Sequence, residues 1–260
     1  MRVLTTSFLF LAAGLAPIAT AEDDLAKQLA NPVSSLISVP IQNNFDFGFG
    51  PGDGTRFIAN LQPVIPITLN EDWNLISRTI LPVIDQTGIA LDDSADASGL
   101  GDTVQSFFFS PASSDPIWGL GPVFLFPTAT DSLLGSEKWG IGPTGVVLKQ
   151  SGPWTYGMLA NHLWDIGGDD NRGPVNATFL QPFCSYITPS KTTFTLNSET
   201  TYDWNSEQWN VPVNFIVSQL VTFGSQPVQF FGGAHYYLET PEGGPEWGVR
   251  FGLTLLFPKG

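Results

Sequence analysis

The sequence predicts an all-β fold: an antiparallel transmembrane β-barrel of about twelve strands with a short N-terminal periplasmic segment. Three observations carry this. Apolar and polar side chains alternate along most of the chain after residue 37. Charged residues make up only 13%, against roughly 25% in an average soluble domain, while aromatics also reach 13%. The connections between alternating stretches are themselves alternately long and short.

The elements follow in order. Met1 and Arg2 form a positive start, an apolar stretch runs from Phe8 to Ile18, and Ala19-Thr20-Ala21 supplies a small-x-small cleavage pattern. This is a secretory signal peptide, too short in its apolar part for the ~20 residues of a spanning helix. The chain divides into 1–21 as signal peptide, 22–37 as the periplasmic segment and 38–260 as the barrel. Glu22 to Leu36 is the one stretch after the signal peptide with helical character, limited by Pro32.

Successive side chains of a strand point to opposite faces. In Ser38–Phe49, Val39, Ile41, Phe45, Phe47 and Phe49 oppose Gln42, Asn44 and Asp46, although Asn43 shares the apolar face. Thr192–Trp204 sets Phe194, Leu196, Tyr202 and Trp204 against Thr193, Thr195, Asn197, Glu199, Thr201 and Asp203. Trp209–Phe223 and Trp247–Phe257 repeat the pattern. The other strands are expected at Thr55–Leu69, Trp73–Asp85, Thr103–Ser110, Trp118–Thr128, Gly140–Gln150, Trp154–Asp165, Val175–Thr188 and Pro227–Glu239.

With both ends in the periplasm, Gln86–Asp102, Asp131–Trp139, Gly167–Pro174 and Thr240–Glu246 become extracellular loops. The intervening turns are short, as at Asn70-Glu71-Asp72 and Gly224-Ser225-Gln226. Such asymmetry is expected of outer-membrane barrels. Pro63, Pro66, Pro82, Pro182 and Pro212 fall inside these strands, where each removes a ladder donor. Bulges or irregular pairing are expected there.

Trp73, Trp118, Trp154, Trp164, Trp204, Trp209 and Trp247 fall at or near strand ends. Tryptophan satisfies its apolar ring and its N–H together at a membrane boundary, so these seven form a candidate aromatic girdle. The terminal Gly252-Leu253-Thr254-Leu255-Leu256-Phe257 resembles the last strand by which barrel-assembly machinery recognises its clients, although Pro258-Lys259-Gly260 follow the aromatic.

The formal charge of −14 argues against nucleic acid, which needs clustered Lys and Arg. The lone Cys184 excludes an internal disulfide, and His162 and His235 lack metal-ligand spacing. No catalytic, cofactor or metal site is expected. His162 falls on the lipid-side face with Trp154, Tyr156 and Trp164, which suits a boundary residue better than a hydrolase base. The loop acids Asp92, Asp93, Asp96, Asp169 and Asp170 have the oxygens for Ca²⁺, yet read more simply as solvated charge. Asp46, Arg56, Arg78, Glu199, Asp203, His235, Glu239 and Arg250 share the polar face. They are candidates for a lumen constriction in which opposed charges select a solute; a salt-bridged plug is the alternative.

Glycine-rich motifs add a family likeness. Ser98-Gly99-Leu100-Gly101-Asp102 precedes Phe107-Phe108-Phe109-Ser110-Pro111; Gly119-Leu120-Gly121-Pro122 leads into Phe126-Pro127-Thr128; and Trp139-Gly140-Ile141-Gly142-Pro143 follows. In these the chain resembles the bacterial outer-membrane transporters named for the meta-pathway of phenol degradation, some of which carry a misapplied neuromedin U label. The resemblance spans most of the mature chain. It implies an outer-membrane location, lipid as surroundings, passive passage of a small, hydrophobic or aromatic solute, and no catalytic residues. A non-conducting structural or surface-interaction barrel is the other reading.

Overall fold

A computed structural model describes residues 25–92 and 94–258. Residues 1–24 (the expected signal peptide among them), Asp93 and the last two residues lie outside them. Sixteen strand segments form one sheet. Where two segments continue one another they make one strand, which gives a closed antiparallel barrel of twelve.

The strands are β1 (Ile37–Phe49), β2 (Gly54–Leu61 and Val64–Thr68), β3 (Trp73–Thr87) and β4 (Ala97–Leu100 and Thr103–Pro111). Next come β5 (Ile117–Phe126), β6 (Lys138–Ser151), β7 (Trp154–Gly168) and β8 (Asn176–Ile187). The last four are β9 (Thr192–Ser198 and Thr200–Asp203), β10 (Gln208–Asn210 and Pro212–Phe223), β11 (Gln226–Tyr237) and β12 (Trp247–Phe257). Each pairs with its neighbours in sequence, and β1 pairs with β12 from Ile37↔Phe257 to Phe47↔Trp247. Closure removes every free edge, the condition for crossing a bilayer with strands.

The expected strands agree with the observed ones to within a few residues. The expected loop Gln86–Asp102 is shorter, because β3 runs on to Thr87 and Ala97–Leu100 joins the sheet. Trp139 belongs to β6, opposite Gly167, not to a loop.

Most of the prolines give the irregular pairing expected of them, but with one exception they do so without a bulge. Pro63, Pro182 and Pro212 interrupt hydrogen bonding without displacing the register. Pairing of β1 and β2 passes from Ile41↔Leu61 to Ser38↔Val64 in step, and that of β8 and β9 from Phe183↔Asn197 to Leu180↔Thr200. Pro66 pairs in register with Ile76. Only Pro82 faces a one-residue slip, between Val83↔Leu100 and Ile80↔Val104. A missing donor breaks one rung, whereas a bulge needs an extra residue in one strand. Pro122 and Pro143 face each other across β5 and β6, and two glycines beside them permit close backbone approach. A Cβ on Gly121 would meet the Phe107 carbonyl, and one on Gly142 the His162 carbonyl.

The outer face is apolar, with Ile41, Leu61, Val83, Leu120, Val147, Leu196, Phe215 and Phe251 exposed. Tryptophans bracket it. Trp73, Trp118 and Trp154 ring the end with the short turns; Trp139, Trp164, Trp204, Trp209 and Trp247 ring the other. Trp139 is an eighth member, stacked edge-on against Phe126 at 5.6 Å. Trp154 and Trp164 on β7 lie about 33 Å apart along the strand, or ~25 Å along the axis at the usual ~40° tilt. That matches the apolar band of outer-membrane barrels.

Residues 25–36 lie at the short-turn end, beside the start of β1 and the end of β12, and enter the barrel. Residues 25–29 form a helical turn. Val33 packs against Ile76, Phe108, Val146, Leu148 and Leu159, and Leu36 against Leu220 and Leu256. Gln150 donates to the Lys27 carbonyl at 2.8 Å. Gly119 leaves room for Val33: a Cβ there would already touch that side chain. A six-residue apolar cluster therefore fills part of the barrel interior at this end.

Candidate functional site

The inward faces of β1, β9, β11 and β12 place a polar cluster toward the loop end of the lumen. Arg250 on β12 is 6% exposed. Its Nη1 and Nη2 donate to both carboxylate oxygens of Glu199 on β9 at 2.8 and 2.7 Å, and its Nε donates to Asn44 Oδ1 at 2.7 Å. Such a fork-to-fork pair is among the stronger polar contacts available. β10 and β11 stand between β9 and β12 in the wall, about 14 Å at ~4.8 Å per strand. The pair is thus a chord across the lumen, not a contact between neighbours.

The position of Glu199 has a backbone cause. It sits between the two segments of β9, flanked by Pro182 on β8 and Pro212 on β10. Ladder bonds are missing there, yet the alternation is kept, so Glu199 still points inward with Asn197 and Thr201.

Asp46 on β1 and His235 on β11 make a second pair, Nε2 to Oδ1 at 2.6 Å, with each residue 5% exposed. The Tyr237 hydroxyl donates to the same carboxylate oxygen at 3.0 Å. Asn214 Nδ2 donates to Asn197 Oδ1 at 2.8 Å. Asn210 Oδ1, Asn214 Oδ1 and His235 Nδ1 are buried without a hydrogen-bond partner in the protein. These three residues line one polar chamber of about 200 Å³.

Below that chamber lies a larger cavity of about 420 Å³, with the Glu199–Arg250 pair on the boundary between them. Its lining mixes apolar side chains, Ile80, Val104, Leu159, Leu163, Phe179 and Ile216, with polar ones, among them Gln42, Asn60, Gln62, Arg78, Asn161 and Gln181. Arg78 Nη2 donates to Gln62 Oε1 at 3.0 Å. Arg78 also borders the space beside Pro32 and Ser34, so it separates the cavity from the N-terminal segment.

Of the eight constriction candidates, Asp46, Glu199, His235 and Arg250 come together, and Arg78 stands one chamber lower. Arg56 is a cross-strand partner of Asp46, but its Nε donates to Gln86 at 3.0 Å and its guanidinium lies 4.4 Å from the Phe49 ring centroid. Asp203 is outside the cluster, since its Oδ1 accepts the amides of Asn205 and Ser206 in a turn. Glu239 is also outside: it follows β11 and is exposed. Parity places a side chain on a face; distance from the strand end decides whether it reaches the lumen. Asn44, Gln62 and Tyr237 were missed because formal charge selected the candidates, although Asn44 and Tyr237 share parity with Asp46 and His235.

Three of the loop acids hold local loop structure. Asp92 Oδ1 accepts from Ser94 N and Oγ, Asp96 Oδ1 from Gly88 N, and Asp169 Oδ1 from Asn171. The hydrogen bonds from Ser94 hold the Asp92 carboxyl below the usual carboxylate range. Among the described residues no group of three or more His, Cys, Asp or Glu is arranged to hold a metal. On the outer face His162 Nδ1 lies 2.7 Å from Thr178 Oγ1, which also accepts Trp204 Nε1 at 2.8 Å.

No protein-family model and no curated protein sequence matches the chain. Solved structures share its fold. An outer membrane channel from Pseudomonas putida F1 matches with a TM-score of 0.66 at 16% identity, over 86% of this chain and 96% of that one. Outer membrane phospholipase A from Escherichia coli gives 0.52 at 11% identity, over 84% and 89%. The NanC porin gives 0.50 at 13% identity, over 84% and 98%. At such identities the likeness is one of fold, and that fold is the outer-membrane barrel.

Proposed function

We propose that this chain is a bacterial outer-membrane channel for passive passage of a small solute with a hydrophobic or aromatic body. The observation that carries this is the 420 Å³ lumen cavity, whose lining interleaves apolar and polar side chains. An apolar body gains by leaving water for the apolar side chains, while the polar ones between them and the polar chamber satisfy its hydrogen-bonding groups. The Glu199–Arg250 chord and the N-terminal segment restrict the route at either side, so the barrel is selective and not an open pore. The similar folds include a channel and a porin. The long-loop end is taken as extracellular.

The phospholipase among those folds raises a hydrolytic reading. A hydroxyl–His hydrolase needs its base oriented by a third group. His162 Nε2 has no hydrogen-bond partner in the protein, and Thr178 Oγ1 is engaged by Trp204. His235 is oriented by Asp46, but its other ring nitrogen has no hydroxyl partner in the protein; both observations favour a non-enzymatic role.

The test is ionic current through single barrels in a planar bilayer, with benzyl alcohol added as an aromatic blocker. Current is expected, with block by the alcohol. Ala177→Trp, which fills the cavity wall, is expected to lower current and abolish block. A barrel that carries no current, with or without residues 22–36, would instead be the structural or surface-interaction barrel.

A further inference from the structure

The outer wall carries a depression of about 430 Å³ on β5, β6 and β7. Its origin is a row of outward positions across three paired strands: Leu120, Gly145 and Ala160. The two smaller residues leave a notch between Leu120 and the flanking wall. The next row toward the short-turn end is Trp118, Val147 and Met158. All of this lies inside the band bracketed by tryptophans, where the surroundings are acyl chains.

The notch leads to a charged rim. One row further, Lys149 pairs across the strands with Tyr156, and both face outward. Lys149 Nζ stands 3.6 Å from Asp115 Oδ2 on the neighbouring turn, with side chains 49% and 74% exposed. An ion pair so exposed is weak and exchanges readily for other partners. It presents one positive and one negative group side by side at the membrane boundary, directly below an apolar slot. A phosphoethanolamine headgroup carries the complementary pair, a phosphate and a primary ammonium, at the top of an acyl chain.

We propose that this notch is a phospholipid site. One acyl chain lies over Gly145 and Ala160; the headgroup phosphate meets Lys149 and its ammonium meets Asp115. The inference rests on the barrel being embedded in a membrane, and it is independent of what the lumen passes.

The test is native mass spectrometry of the intact barrel after delipidation and addition of phosphatidylethanolamine, phosphatidylglycerol or phosphatidylcholine in equal amounts. Phosphatidylethanolamine should be retained in preference to the other two, one per barrel. Ala160→Phe and Gly145→Leu fill the notch from the lipid side and should lower retention by about tenfold or more. Asp115→Asn, on an exposed turn, should abolish the preference over phosphatidylglycerol without lowering total retention. Heat-modifiable gel migration checks that each variant is folded. Retention by Ala160→Phe equal to wild type overturns the proposal, as does a wild-type preference for phosphatidylglycerol. A detergent-stable dimer lost in Ala160→Phe would assign the notch to a second copy instead. A wild-type chain that stays soluble and monomeric without detergent would overturn the membrane reading itself.

Discussion

Replacing Glu199 by Ala leaves the buried Arg250 guanidinium with Asn44 Oδ1 as its one remaining side-chain partner. Two charge-assisted hydrogen bonds, at 2.7 and 2.8 Å, are lost. Breaking a buried pair on one side costs about 3–5 kcal/mol, much of it from the stranded charge. The Glu199 side chain keeps 26% of its surface open to the lumen, which places this pair at the low end, about 3 kcal/mol. Arg250→Ala strands a carboxylate that is better hydrated, at about 2 kcal/mol. Removing both strands nothing, so the double variant should lose about 2 kcal/mol, less than the sum of the singles. The cycle then returns a coupling of about 3 kcal/mol, the upper end for residues in direct contact. Urea unfolding of the four proteins in lipid vesicles, followed by tryptophan fluorescence, measures it. The same double variant removes the chord between the two chambers and should raise single-channel conductance. Costs that simply add, together with unchanged conductance, would refute the chord.

Four further outcomes are expected. Val33→Ala, in the apolar cluster that seats the N-terminal segment, should cost about 2 kcal/mol and raise basal conductance by loosening the segment. Gly142→Ala drives a methyl onto the His162 carbonyl and should reduce the yield of heat-resistant barrel, whereas Gly173→Ala, in open space, should change stability by less than about 0.5 kcal/mol. Trp154→Ala removes a boundary ring packed 4.8 Å from Tyr186, and the stacking alone should cost about 1 kcal/mol in vesicle unfolding. Ser94→Ala should raise the Asp92 carboxyl toward its ordinary range in an NMR titration. Because that carboxyl is held low in the folded state, its contribution is present above the ordinary range and lost as pH falls through the folded value.

The strands were legible because a barrel wall imposes the simplest periodicity there is: lipid on one side and lumen on the other. Ile41 against Gln42, or Phe251 against Arg250, already states which way each points. What alternation does not carry is depth. Asp203 and Glu239 share parity with the clustered residues, yet Asp203 is used by its own turn and Glu239 lies beyond its strand. Nor does it show which neutral side chains complete a charged site, as Asn44 and Tyr237 do. The entry of residues 25–36 into the barrel was hidden for another reason. Val33 answers to Gly119, and Leu36 to Leu220 and Leu256, all far away in sequence, and no local pattern records that match. The prolines mark where the ladder is interrupted, since each removes a donor, but they do not show where the register moves, because only an added residue does that.

The seam between the first and last strands has a consequence for assembly. Asp46 and Asn44 lie on β1, while their partners His235 and Arg250 lie on β11 and β12. None of these contacts can form until the end of the chain has arrived and the sheet has joined itself. Until then β1 and β12 are open edges, each carrying polar side chains with no counterpart. The lumen cluster is therefore a record of completed closure. A label whose signal depends on the His235–Asp46 contact would distinguish a finished barrel from an inserted but still open sheet.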